Sequence, residues 1–393
     1  MVIRKKIPNY WLILPFTYLI FFPFGQLTRV QLDVAGQIFA IYPTDILAGL
    51  TLVPLALNIR KLFPKEITAL RAFLVAALFS LIFSLAFFPP QEILIGTFYF
   101  FRLVFYISFF VFLWRLVKLG VYPKEKVINS LIAVGTFVGL FGWAQYLFYP
   151  DLRALKEFGW DDHLYRLVST FLDPAFTGII LVLALILVFS KISSRKSPLL
   201  VGLSGFLLFS IAFTYSRSSF LAILFAGLTA SLLGYSKKII WIPILIFFLG
   251  LFFLPRPAGE GVRLERLNSV ILKTGDYKES LQIIRHSPLF GVGFNNLCAA
   301  KMRFFGGTLG LSHSCGGTDN SFLFVVATTG LVGLIFFIDL VIKIIRNTSR
   351  DEYGRIFLVS LTALFVHGMF TNTLFYAWVM GWLVHLLAIS RRS

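Results

Sequence analysis

The residues best suited to chemistry in this chain are arginines at the edges of apolar stretches. Arg217 lies in the turn TYSRSSF, where one apolar stretch ends and the next begins. A guanidinium group at such a depth is costly unless it meets an anion or a carboxylate. Planar guanidinium groups hold phosphate oxygens through paired hydrogen bonds, so a cluster of arginines suits a diphosphate. Other basic residues in two polar segments could join Arg217: Arg166, Arg263, Arg266, Lys273 and Arg285.

Two candidate general bases lie close together in the larger polar segment. His313 and Asp319 are both in LSHSCGGTDN, directly before an apolar stretch. Either side chain could remove the proton of a hydroxyl group within its reach. A single loop histidine is more often an ordinary surface residue. No group of Cys and His has metal-ligand spacing, so we expect no metal and no other cofactor.

Two further pairings follow from residue types. Cys298 and Cys315 lie in the same polar segment, and in an oxidising compartment they could form a disulfide worth roughly 3 kcal/mol. Two unpaired thiols are the equal alternative. Arg102 lies inside an apolar stretch and needs a partner, for which Asp45 in another stretch is a candidate. A structural role for Arg102, either in this pair or as a side chain reaching the membrane surface, is the favoured interpretation.

The elements that must position these residues are membrane helices. Of the 393 residues, 58% are hydrophobic and only 14% are charged, whereas soluble domains have about 25% charged residues. Apolar stretches of roughly 17–25 residues recur, each long enough to cross a bilayer as a helix. The alternating segments of about ten residues that are typical of β-barrels are missing from the sequence. The net charge of +18 is spread along the chain rather than gathered in one arm or domain, so we expect no nucleic-acid partner.

We therefore predict an all-α polytopic protein with about twelve transmembrane helices and residues 1–393 in a single membrane domain. Boundaries predicted in this way are good to a few residues. The predicted spans are 10–25, 34–57, 71–88, 94–114, 127–148, 176–190, 198–214, 217–234, 239–254, 320–342, 356–374 and 376–390.

The distribution of positive charge predicts the orientation of these spans. With a cytoplasmic amino terminus, the inner segments hold 22 of the 36 Lys and Arg residues, which is the bias expected of cytoplasmic loops. Both termini are then cytoplasmic. The two long segments, 149–175 and 255–319, lie outside, the second of them between the ninth and tenth spans. Within it, residues 276–286 could form an amphipathic helix at the interface. A structured lid without chemistry is the alternative interpretation of this segment.

Several segments resemble, in the expected order, the superfamily of O-antigen ligases and O-antigen polymerases, which are bacterial membrane glycosyltransferases. They are GLFGWAQYLFYP with RLVSTFLDPAFTGIILVLAL, the Ser-Arg turn TYSRSSFLAIL, YKESLQIIRHSPLFGVGFNN with its Gly-x-Gly turn, and DNSFLFVVATTGLVG with its Gly-x-x-Gly ending. The resemblance covers most of the chain and is strongest over residues 166–335. No single motif is specific to this superfamily, but the order of the motifs and their predicted placement on the outer face of the membrane are.

The resemblance implies metal-independent transfer of a glycan from an undecaprenyl diphosphate carrier, at the outer face of a bacterial inner membrane. The acceptor is lipid A core for a ligase or another carrier-linked glycan for a polymerase. Arg217 matches the Ser-Arg turn and would bind the diphosphate. The family's usual Arg before the loop helix is Lys273 here, and its usual His before Asn is Asp319. This second departure favours polymerisation or a broader transfer, with either Asp319 or His313 as the base.

Three other functions compete with this one. A transporter or flippase of lipid-linked saccharides suits twelve spans, but we find no similarity between the two halves of the chain. A different lipid-linked glycosyltransferase class has an acidic pair in its first outer loop, where this chain has only Asp33. A structural scaffold would have no need of arginines on the outer face.

Overall fold

A computed structural model describes residues 9–34, 36–57, 62–195, 197–257, 259–306, 315 and 317–392. These residues are mostly helical. The helices are α1 (Ile13–Phe21), α2 (Pro43–Leu50), α3 (Leu52–Leu57), α4 (Ile67–Phe83), α5 (Pro90–Lys118), α6 (Lys124–Phe148), α7 (Pro174–Ser194), α8 (Pro198–Phe213), α9 (Arg217–Leu232), α10 (Lys237–Gly250), α11 (Asn268–His286), α12 (Leu297–Phe305), α13 (Ser321–Arg346), α14 (Glu352–Gly368) and α15 (Ala377–Ile389).

Each of the twelve predicted spans overlaps at least one of these helices, as expected of an all-α membrane protein. Among the described residues, five helices are long and apolar enough to cross a membrane, and others are apolar but shorter. The number of crossings and their direction stay predictions. The five long helices are Ile67–Ala86, Pro90–Lys118, Lys124–Phe148, Pro174–Ser194 and Ser321–Arg346.

The first part of the predicted span 34–57 is wrong, because it forms strands instead of a helix. Strands β1 (Val30–Val34) and β2 (Gln37–Ile41) pair antiparallel, with Val30 opposite Ile41. Only Tyr42 separates β2 from α2, so hydropathy alone does not show where the strand ends. The helix begins at Pro43 in its first position, where the missing N–H costs nothing.

Helix α7 is the centre of the bundle. Most of its side chains are buried, and it packs against α6, α8, α9 and α14. Gly135 of α6 allows the closest approach, because a Cβ atom at this position would lie 2.2 Å from the Cβ of Ala184. The middle of α7 is therefore held close to α6.

The predicted partner of Arg102 is confirmed. Arg102 of α5 and Asp45 of α2 are both buried, and Arg102 Nη2 lies 2.7 Å from Asp45 Oδ2. The guanidinium also donates from Nε to the same oxygen at 3.0 Å and from Nη2 to the carbonyl oxygen of Ala40. This ion pair joins the end of the hairpin to two membrane helices.

Helix α13 is interrupted at Gly330, where φ is 66° and ψ is −170°. Residues 288–293 lie against the interruption and replace the lost helical hydrogen bonds: Leu331 N–H donates to the Pro288 carbonyl at 2.9 Å, and Gly293 N–H donates to the Thr328 carbonyl at 3.1 Å. A Cβ atom at Gly330 would lie 2.2 Å from the Leu289 oxygen. The Gly-x-Gly turn at 291–293 and the Gly-x-x-Gly motif at 330–333 therefore pack against each other.

The segment 255–319 is largely ordered over its described residues. The predicted helix 276–286 is part of the longer α11, and α12 was not predicted. Cys298 at the start of α12 forms a disulfide with Cys315, so the pairing left open by the sequence is present. These attachments hold the end of the segment close to the start of α13.

Candidate active site

One backbone turn between α8 and α9 brings two arginines together. Arg166 Nε donates to the Thr214 carbonyl at 3.1 Å, and Arg266 Nη2 donates to the Tyr215 carbonyl at 3.2 Å. Tyr215 has a φ of 51°, a left-handed conformation that is rare for a bulky residue. Such strained residues are concentrated at functional sites, where the surrounding structure holds them in place.

Arg217 lies immediately after this turn, as the first residue of α9. Its Nη1 donates to the carbonyl oxygens of Leu264 and Arg266 at 3.2 and 3.1 Å, and its Nη2 donates to Ser269 Oγ at 2.6 Å. Among the described residues, these bonds use three of its five N–H groups. Arg217 therefore fixes the start of α11 and keeps donors that could bind an anion.

Arg166 is buried close to the positive charges of Arg266 and Arg217. Burial, followed by repulsion from Arg266, lowers the pKa of Arg166 to about 9, while Asp173 and Asp161 act in the opposite direction. When folding lowers the pKa of a basic group, the folded protein disfavours the charged form of that group. A bound anion would restore the charged form, so the cluster is suited to a phosphate or diphosphate.

Two adjoining cavities lie beside the cluster. The larger, of about 940 Å³, is lined by Arg166, Arg266 and Trp160 among others. The smaller, of about 320 Å³, shares Trp160 and Tyr99 with it and extends to Asp173. Together they are large enough for a diphosphate and its attached sugars. Basic, acidic and aromatic groups line the two cavities, and Arg217 contacts two of the lining residues, Arg266 and Ser269.

Asp319 is held next to this region by α11. Lys273 Nζ lies 3.0 Å from Asp319 Oδ1, and Tyr277 Oη donates to the Asp319 carbonyl at 3.3 Å. Burial raises the pKa of Asp319, and the charge of Lys273 partly offsets that rise. The partners of Arg217 and Asp319 on this helix, Ser269 and Lys273, are four residues apart, or about 6 Å along the axis.

The family model described as O-antigen ligase matches residues 202–338, about a third of the chain. Over this segment the chain is similar to the O-antigen ligases, which supports the resemblance to the O-antigen ligase and polymerase superfamily. The matched segment includes Arg217, Arg266, Lys273 and Asp319, and it supports a function in glycan transfer, with a lipid-linked glycan and an acceptor as substrates. No curated protein matches the chain.

The structure does not bring all the predicted site residues together. Arg263 is exposed and contributes its carbonyl oxygen to Arg266. Arg285 lies near the far end of α11, about 24 Å along the helix from Ser269. His313 falls outside the described residues. Among the predicted residues, Arg166, Arg266 and Arg217 lie together, and Lys273 pairs with Asp319 one turn of α11 beyond Ser269, the partner of Arg217.

Some polar residues of the site were missed from the sequence. Asp161, His163 and Asp173 place their ligand atoms within 4.8 Å of one another, an oxygen and nitrogen set that could hold a divalent cation. Asp173 also accepts the N–H groups of Ala175 and Phe176 at the start of α7. An Asp before a Pro at a helix start is a recognisable sequence signal for this cap, but the contact with Asp161 and His163 depends on the fold.

Proposed function

We propose that the protein transfers an oligosaccharide from an undecaprenyl diphosphate carrier to an acceptor hydroxyl, without a metal, at the extracytoplasmic face of a bacterial inner membrane. The acceptor is another carrier-linked glycan, as in a polymerase, or lipid A core, as in a ligase. We favour the polymerase because Asp319 stands where the family's ligases have a histidine. Both termini would lie in the cytoplasm.

One observation carries this proposal: the first two turns of α11 hold both Arg217, through Ser269, and Asp319, through Lys273. A site for an anion and a candidate base are thereby within reach of one substrate. Transfer from a sugar diphosphate needs these two groups, because the diphosphate leaves readily once its growing charge is offset.

In the proposed reaction the acceptor oxygen attacks the anomeric carbon of the donor sugar. The new carbon–oxygen bond forms as the bond to the carrier diphosphate breaks, and the diphosphate departs with the bonding electrons. The acceptor proton passes to the Asp319 carboxylate. Arg166, Arg266 and Arg217 offset the charge on the diphosphate, and Arg217 also keeps residues 264–269 in position.

The disulfide supports the extracytoplasmic assignment. Cys298 and Cys315 both lie in the segment that the charge distribution places outside, and structural disulfides persist in oxidising compartments. A bacterial periplasm or cell exterior meets this condition, whereas a reducing cytoplasm does not.

The decisive experiment supplies purified protein with an undecaprenyl diphosphate-linked glycan. Longer glycans on the same carrier indicate a polymerase, and transfer to lipid A core indicates a ligase. Movement of the carrier across vesicles without new glycosidic bonds would instead identify a transporter and overturn the proposal.

The identity of the base is tested by comparing Asp319→Asn with His313→Ala. A raised pKa for Asp319 predicts that turnover of the wild type falls as the pH is lowered toward that raised value. This acid limb should disappear in Asp319→Asn, whose residual rate should be small, and should persist in His313→Ala. If both variants keep full activity, neither residue is the base.

A further inference from the structure

Asp276 is a buried carboxylate of α11 that joins α12 to the residues just before α13. Its Oδ1 accepts a hydrogen bond from Lys301 Nζ at 2.6 Å. Its Oδ2 accepts bonds from Thr318 Oγ1 at 2.6 Å and from the Asp319 N–H at 2.7 Å. All three donors therefore converge on one side chain that is only 6% exposed.

Lys301 of α12 strengthens the same junction. It is 7% exposed, and its Nζ also donates to the Gly317 carbonyl at 3.1 Å. The ion pair of Asp276 with Lys301 thus holds residues 317–319 by one carboxylate oxygen, Oδ2, and one ammonium group. Hydrogen bonds to charged groups are roughly twice as strong as neutral ones, so this backbone is tightly fixed.

The positions of the α11 contacts around Asp319 follow helical spacing. Lys273, Asp276 and Tyr277 are separated by three and four residues and therefore share one face of the helix. Lys273 contacts the carboxylate of Asp319, Asp276 its N–H, and Tyr277 its carbonyl oxygen. One helix face determines where every polar group of Asp319 lies.

We propose that Asp276 is a positioning residue for the glycan transfer, which fixes the backbone of Asp319 so that its carboxylate reaches the acceptor hydroxyl. This inference rests on the role of Asp319 in the proposed function. Asp276 does not touch the substrate; it acts through Asp319 and residues 317–318. A displacement of about 1 Å in a reacting group can lower a rate about 100-fold, so the anchor controls turnover.

The charge of Asp276 also acts on Asp319. The charged and titratable groups that face Asp319 among the described residues are Lys273, Asp276 and Tyr277 of α11 and Asp173 at the start of α7. The negative charges of Asp276 and Asp173 favour protonation of Asp319, and Lys273 opposes it. Removing the charge of Asp276 should therefore lower the pKa of Asp319.

The test compares Asp276→Asn with a matched control, Glu279→Gln. Glu279 is on the same helix and also approaches Lys301, at 3.6 Å, but it is half-exposed, and its ion pair is with Lys301 rather than with residues 317–319. We expect Asp276→Asn to lower kcat about 10- to 100-fold with the donor KM changed less than about twofold. The acid limb of its pH–rate profile should move to lower pH. Glu279→Gln should match the wild type in kcat, in the donor KM and in the position of the acid limb.

A second measurement does not depend on transfer. Hydrogen–deuterium exchange of residues 317–320 should be faster in Asp276→Asn and unchanged in Glu279→Gln. Thr318→Val, which removes one hydrogen bond and keeps the buried ion pair, should give a smaller effect in the same direction. This variant serves if Asp276→Asn does not fold.

The outcomes separate the inference from the proposed function. An inactive wild type, with exchange altered as expected in Asp276→Asn, refutes the transfer reaction and leaves the anchor established. An active wild type refutes the positioning role if Asp276→Asn, or Thr318→Val in its place, keeps full kcat. The role is also refuted if Asp276→Asn loses kcat without a shift of the acid limb, or if Glu279→Gln is equally impaired.

Discussion

Arg102 and Arg166 are about equally buried, at 6% and 8% exposure, yet their guanidinium groups meet different partners. Arg102 meets the carboxylate of Asp45. Among the described residues, the hydrogen bonds of Arg166 go to the backbone carbonyl oxygens of Thr214 and Tyr215, and other arginines lie nearby. The charge of Arg102 is paired with a carboxylate inside the protein, whereas Arg166 is held by carbonyl oxygens and lies near other arginines.

This difference separates a structural arginine from one that is suited to a ligand. A carboxylate partner satisfies both the geometry and the charge of a guanidinium, and little is left for a substrate. Carbonyl oxygens orient the guanidinium but do not cancel its charge, which stays available for an anion. The predictions below test this contrast.

The largest effect should come from Arg217→Ala. Because Arg217 orders residues 264–269 and keeps spare donors, its loss should lower transfer at least about 1,000-fold while the protein stays folded in detergent. Arg285→Ala is the control, because Arg285 lies at the distant end of α11. Normal turnover by Arg217→Ala would remove it from the site.

Arg102→Met should act more on stability than on turnover, although Arg102 also lines the smaller cavity. It leaves Asp45 as an uncompensated buried charge, which costs on the order of 3–5 kcal/mol. The double variant Arg102→Met with Asp45→Leu should recover most of that loss. Thermal unfolding in detergent measures both. A stable Arg102→Met protein that no longer transfers glycan would show that Arg102 takes part in transfer and is not a purely structural residue.

Loss of the disulfide should have a smaller effect on stability. Cys298 and Cys315 are 17 residues apart, and closing a loop of this size contributes about 3 kcal/mol in the chain-entropy model. Replacing both by serine should lower the unfolding temperature and speed exchange of residues 317–320, with Arg102 and its surroundings unchanged. An identical unfolding temperature with and without reductant would contradict this expectation.

The smallest effect should be that of metal removal. Although Asp161, His163 and Asp173 could hold a cation, the proposed transfer uses guanidinium groups to offset the diphosphate charge. Prolonged treatment with EDTA should therefore leave turnover within about twofold of the untreated enzyme. Loss of activity that Mn²⁺ restores would show that a cation shares the work of the arginines.

The membrane helices were predictable because apolar length is a local property of the sequence. The hairpin at 30–41 was missed because only Tyr42 separates its second strand from α2. The pairing of Arg102 with Asp45 was predictable because a membrane helix strongly disfavours an unpaired charge and carboxylates within the spans are few.

The site was predictable in its residue types but less so in its arrangement. The excess of arginines and the segment bearing Asp319 followed from the sequence. The roles of Asp276 and Asp173 did not, because a carboxylate in a polar segment has no feature that reveals burial. Their partners, Lys301, Thr318, Asp161 and His163, come from other parts of the chain and are brought close only by folding.

The contact of residues 288–293 with the interruption in α13 has a consequence for chimaeras between relatives. Because Pro288 and Gly293 exchange hydrogen bonds with Leu331 and Thr328, the segment 255–319 cannot be transplanted alone without leaving polar backbone groups of a membrane helix unmatched. A graft that also carries residues 324–333 keeps both of the segments that form these hydrogen bonds. The same constraint applies to natural variants. We therefore expect substrate specificity to change through residues that line the cavities and not by exchange of the whole segment.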